Sequence, residues 1–139
     1  MNLEFAGRFN RPDLVIKEFK YWVVIIRENV VTLGSSIFIL KSGKKNLSDV
    51  DGLEMAEFSE VCKWFETKTK KLYGAEKWNY LAMMMKDEFV HFHAIPRYST
   101  EILKYDIMWI DKDYPKGTKL EKIEVDDRTL LKVLNDMKK

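Results

Sequence analysis

Apolar and polar positions divide the chain into blocks of two different periods. Tyr21-Trp22-Val23-Val24-Ile25-Ile26 is a nearly continuous apolar run. It is too short for a core helix and rich in β-branched and aromatic residues, which predicts a strand covered on both faces. Leu14-Val15-Ile16 before it and Ser35-Ser36-Ile37-Phe38-Ile39-Leu40 after it predict two more strands, set off by Arg27-Glu28-Asn29 and Gly34. Past the polar loop Ser42-Gly43-Lys44-Lys45-Asn46 the period becomes helical: Phe58, Val61, Cys62 and Phe65 share a stripe that Leu72 continues. Asp51 with Glu54 suits a capping box at its start. Gly74 suits its stop, with Lys68 to Lys71 near the negative end of the helix dipole. Trp78 to Met84 and Phe89 to Ile95 read as strands joined through Lys86-Asp87-Glu88, hence antiparallel neighbours. Tyr105 to Ile110 alternates like a strand, and Asp113 to Gly117 reads as a loop. Asp126 or Asp127 can cap a last helix with Leu130, Leu131, Leu134 and Met137 along one side. Residues 1–13, with Gly7, Asn10, Arg11 and Pro12, read as an arm or loop. The order β-β-β-α-β-β predicts an α+β fold with a mainly antiparallel sheet. No repeat, low-complexity tract or second boundary appears, so residues 1–139 are expected to form a single domain.

The stretch Phe89-Val90-His91-Phe92-His93-Ala94-Ile95-Pro96-Arg97 holds both histidines of the chain. On a strand, Phe89, His91, His93 and Ile95 share one face, while Val90, Phe92 and Ala94 share the other, wholly apolar one. Two adjacent imidazoles on a rigid strand either form a chemical site or are a partly buried pair at a sheet surface. Cys62 lies on the helix stripe and reads as packing. Trp64 lies off it and covers a sheet edge or meets a partner. Met83-Met84-Met85 reads as adaptable core filling.

Composition narrows the classes. A 139-residue chain buries roughly two thirds of its unfolded surface, enough for a core. A formal charge of +2 gives no electrostatic case for a nucleic-acid partner. Lys41 to Lys45 and Lys68 to Lys71 then read as solvated surface. With Cys62 alone an intrachain disulfide is impossible, which suits a reducing cytosol. The N-terminal residues lack an apolar signal core, and no run approaches the ~20 apolar residues of a membrane span. The expectation is a cytoplasmic protein without a membrane partner.

The order of these segments resembles the histidine triad (HIT) superfamily, in its dinucleoside polyphosphate hydrolase-like branch. His91-Phe92-His93-Ala94-Ile95-Pro96-Arg97 is similar to the end of the triad motif, three histidines alternating with apolar residues and often followed by Pro-Arg. Thr32 to Lys41 is similar to the family's Gly-His-apolar-strand-Pro-Lys segment. Asn46-Leu47-Ser48-Asp49-Val50 is similar to the start of its long helix, and Trp78-Asn79-Tyr80-Leu81 to the strand feeding the catalytic strand. The resemblance runs from about Leu14 to Tyr98. It implies a HIT-like sheet of five strands or more, with one long helix packed on it and a C-terminal helix. The triad is degenerate: Phe89 takes the first position, and with it goes a group that helps orient the nucleophile. Gly43 stands where a histidine follows Pro-Lys, and Leu40 where the proline would be. Lys86-Asp87-Glu88 replaces a phosphate-binding loop, and Arg27 falls at the ribose-binding Asp or Asn. What the resemblance implies for the site is His91 as nucleophile and His93 as phosphate ligand; Arg27 and Asn79 are candidate nucleotide contacts, and Lys86 either replaces the lost phosphate contacts or is a surface lysine in a turn. It implies a nucleotide substrate, no cofactor, no metal, and a homodimer.

The chemistry fits those residue types. A neutral imidazole is abundant at pH 7 and attacks activated phosphorus, and a covalent nucleotidyl-histidine divides one hard displacement into two easier ones. Three readings follow: a nucleotide hydrolase or transferase acting on dinucleoside polyphosphates or nucleoside phosphoramidates, a nucleotide-binding or interaction module that has lost efficient turnover, and a metal site. The last ranks lowest, because zinc sites use three or four protein ligands and the chain has two histidines.

Overall fold

A computed structural model describes residues 3–139. The apolar run becomes β2 (Trp22–Ile26), with every residue buried. It lies in an antiparallel sheet of order β1-β2-β3-β5-β4, with β1 (Val15–Glu18), β3 (Ser36–Leu40), β4 (Lys77–Leu81) and β5 (His91–Arg97). The α+β class and the five-stranded sheet are as the sequence predicts.

The helix α1 (Gly52–Tyr73) starts on the expected capping box: Asp51 accepts from the Glu54 amide at 2.8 Å and Glu54 accepts from the Asp51 amide at 3.0 Å. It ends at Gly74, whose φ of 77° is the left-handed conformation a C-cap favours. Val61 and Phe65 are the deeply buried part of its stripe. Phe58 and Phe65 press on Phe38, and Phe58 also meets Trp22 and Phe92, so α1 covers one face of the sheet. Trp64 packs its edge against Phe19, next to the sheet's β1 edge.

Four expectations change. Residues 4–9 and 12–14 are short 3₁₀ turns lying against the other face of the sheet, where Leu3, Ala6 and Leu14 are buried. The fourth strand stops at Leu81, and Met84 adopts φ 42° beyond it, which a strand cannot. Tyr105 and Asp106 both have positive φ, so 105–110 is not one strand but a turn and the second arm of a hairpin, β6 (Ile102–Lys104) and β7 (Ile107–Trp109). The last helix, α2 (Asp127–Lys138), is capped by Asp126, and it packs against β1 and α1. Its buried side is Thr129, Val133, Leu134 and Met137, whereas Leu131 is 55 % exposed. Among the described residues no helix is long and apolar enough to cross a membrane.

Candidate functional site

β5 is bonded on both sides, with His91 opposite Ile39 and His93 opposite Ile37 on β3 and Leu81 on β4. The His93 backbone is therefore held by two strands and that of His91 by β3, and both imidazoles project on the face away from α1. The ring centroids lie 5.1 Å apart at 79°. The first 3₁₀ turn covers them. Phe9 sits 5.7 Å from the His91 ring and 6.1 Å from Phe89, and Phe89 leans on His91 at 4.8 Å. His91 and His93 are 3 % and 6 % exposed, and ligand cannot reach the His91 ring without movement of this cover.

Hydrogen bonding distinguishes the two rings. His91 Nδ1 lies 2.7 Å from the Phe89 carbonyl oxygen. A carbonyl only accepts, so Nδ1 carries the proton, and the neutral ring keeps its lone pair on Nε2. The backbone of residue 89 thus orients His91, whatever side chain stands there. On His93 the arrangement is reversed. Arg27 Nε–H donates to His93 Nδ1 at 3.3 Å, which places the ring proton on Nε2, a donor. Burial, then the positive charge of Arg27 and the neighbouring His91, push His93 down to about 4, so it is neutral at pH 7. One ring offers a nucleophilic lone pair, and the other offers an N–H.

A cavity of about 160 Å³ opens beside His93. Leu14, Ile25, Ile37 and Phe9 give it apolar walls, and Arg8, Arg27, Glu28 and Asn29 complete it. Arg27 is therefore at the site. Asn79 and Lys86 are elsewhere. Asn79 Oδ1 accepts from Arg97 Nη1 at 2.6 Å and from the Thr118 amide at 3.0 Å, pinning the C-terminal segment to the sheet. Lys86 lines a separate surface cavity with Phe5, Gly43, Lys45 and Phe89. Arg97, the last residue of the Pro-Arg pair, belongs to the same buried framework as Asn79, giving two N–H groups to Asp111 at 2.7 and 3.0 Å.

Two departures from the triad pattern gain a structural account. Phe89 is buried among Phe5, Phe9 and His91. Gly43 has φ 75°, and a Cβ there would lie 3.2 Å from the Phe5 ring. The aromatic turn occupies space on both sides of Phe89. Arg8 and Phe9 are the site residues that sequence reasoning missed. Their surroundings, Gly7, Asn10 and Pro12, carry a loop signal, and nothing in the spacing tells that the loop folds over the histidines.

No family model and no curated protein sequence matches the chain. Solved structures do. A hypothetical histidine triad nucleotide-binding protein from Sulfolobus tokodaii superposes with a TM-score of 0.70 at 20 % identity, over 97 % of this chain and 89 % of that one. This chain has the histidine triad fold. Plasmodium falciparum diadenosine triphosphate hydrolase matches with a TM-score of 0.65 at 14 % identity, over 91 % of this chain and 75 % of its own. A Zn-bound histidine triad family protein from Mycobacterium smegmatis matches at 0.62 and 17 % identity, over 89 % and 82 %. In the histidine triad fold found here, no three of His, Cys, Asp and Glu converge as metal ligands among the described residues.

Proposed function

We propose that the protein is a nucleotide hydrolase or nucleotidyl transferase, acting on dinucleoside polyphosphates or nucleoside phosphoramidates through a covalent nucleotidyl-His91 intermediate. The observation that carries this reading is the 2.7 Å contact between His91 Nδ1 and the Phe89 carbonyl, which leaves Nε2 as the nucleophilic nitrogen. Nε2 attacks the α-phosphorus, and the bond to the leaving group breaks with its electron pair. The ring, now substituted at Nε2 and still protonated at Nδ1, is positive, and the Phe89 carbonyl stabilises that charge. The His93 Nε2–H donates to a phosphate oxygen as negative charge builds there. Water or another acceptor then attacks phosphorus, the P–N bond breaks, and the acceptor's proton is released. No step calls on a metal or cofactor.

Fold neighbours support the substrate class: one is a hypothetical histidine triad nucleotide-binding protein and another a diadenosine triphosphate hydrolase. A whole nucleotide needs more room than about 160 Å³; ligand clefts are typically ~300 Å³ or larger. Phe9 is the cover that has to swing away. The free sheet edge at β4 fits the homodimer that the resemblance implies, and the single cysteine fits a cytoplasmic setting.

One observation favours a second reading, a binding module without turnover: Phe9 and Phe89 enclose the nucleophile. A panel of adenine and guanine dinucleotides and phosphoramidates separates the two. Nucleotide release, unaffected by chelator, supports the enzyme. Binding across the panel with no release from any member supports the module. Stoichiometric zinc whose removal abolishes activity overturns the metal-free scheme.

A further inference from the structure

Arg27 follows β2 directly and reaches the cavity past His93. Its Nε–H is held by His93 Nδ1, and a second N–H goes to the Asn29 carbonyl. Among the described residues it forms no ion pair. The adjacent Glu28 is instead engaged by Arg11 at 2.8 Å. Arg8 enters the same cavity from the covering turn. Asp87 takes its Nε and Nη2 at 3.4 and 2.7 Å, and leaves its third nitrogen unused by that pair. Burial, and then the charge of Arg8, both work against the Arg27 cation. A half-buried guanidinium facing another one, beside a neutral imidazole, is a site whose electrostatics an anion relieves.

We propose that Arg27 and Arg8 form a second phosphate subsite beside His93, selecting ligands that carry a phosphate in addition to the one placed at His91. The proposal rests on the nucleotide reading above. Guanidinium forks match phosphate oxygens in pairs, and the apolar walls Leu14, Ile25 and Ile37 leave the base or sugar carbon face to pack beside the anion. The second phosphate has two sources. It is either the next phosphate of a polyphosphate chain or a phosphate on the ribose 2′ or 3′ oxygen.

Calorimetric titration of the full chain with AMP, ADP, adenosine 2′,5′-bisphosphate and adenosine 3′,5′-bisphosphate tests this. At least one two-phosphate ligand binds about tenfold or more tighter than AMP, the worth of one charge-assisted hydrogen bond. A preference for ADP identifies a chain phosphate, and a preference for a bisphosphate identifies a ribose phosphate. Arg27→Gln brings the ratio close to one. Arg8→Gln, at a largely exposed side chain that leaves the core intact, lowers it as well. If AMP binds as tightly as the others, or the preference is unchanged in both variants, the subsite is overturned while the nucleotide reading stands. If none of the four binds, both are overturned.

Discussion

His93 gives a pH signature at the scale of one residue. Its folded value of about 4 lies below its ordinary 6.5. Between those values the unfolded chain binds a proton that the folded protein refuses. Stability from this group is therefore complete above about 6.5 and is lost as pH falls toward 4, with a limiting slope of about 1.4 kcal/mol per pH unit. Denaturant unfolding from pH 7 to 4.5 should show this slope in the wild type, and His93→Asn should be flatter by about that amount. Parallel curves would show that His93 titrates normally. Phe89 offers a second residue-scale test. The departure from a histidine triad suggests restoring the missing imidazole at this position, but the Phe89 side chain is enclosed by Phe5, Phe9 and His91. Phe89→His buries an imidazole in an aromatic cluster and should cost about 1–3 kcal/mol of stability. Because a backbone carbonyl already fixes His91, it should not raise turnover. A thermal melt and a rate assay read both outcomes, and a faster, equally stable variant would contradict the geometry.

At the scale of elements, the 3₁₀ turn Glu4–Phe9 decides access to the histidines. Phe9 holds it on the His91 and Phe89 rings, and the Arg8–Asp87 pair fastens it to the loop before β5. Phe9→Ala should lose about 1–2 kcal/mol, since the ring is only partly buried. It should also speed acylation of His91 by diethyl pyrocarbonate severalfold, followed by peptide mass mapping. An unchanged rate would mean that the turn does not limit access. The same turn marks where sequence reasoning stops. Continuous apolar runs announce β2 and β3, a 3.6-residue period announces α1, and alternation announces β5, because each buries its apolar residues against a neighbour known from its own pattern. Leu3, Phe5, Ala6 and Phe9 have no such period, and only contact with the sheet gives them a conformation. The Tyr105-Asp106 turn was hidden for a related reason. It has no glycine, and long-range bonds from the Tyr105 hydroxyl to Asp136 and Tyr73 hold it in place.

At the scale of the molecule, the five-stranded sheet and α1 were legible because apolar runs, a capping box and a C-cap glycine all point to one arrangement. The site was legible in part. His91 and His93 come together as strand alternation requires, and Arg27 meets His93 because β2 ends beside it. Asn79 belongs to the Arg97–Asp111 framework and Lys86 to another surface, which only tertiary packing could reveal. What this molecule does with two differently polarised imidazoles is the central claim, and one measurement addresses it directly. The protein is mixed with diadenosine triphosphate, quenched on the millisecond-to-second scale, and weighed intact before peptide mapping. The account predicts a transient species heavier by one adenylyl group, mapped to His91. It should be absent in His91→Asn, which still binds nucleotide but turns over slower by orders of magnitude. Turnover with no adduct at any time, or turnover undiminished in His91→Asn, would contradict it.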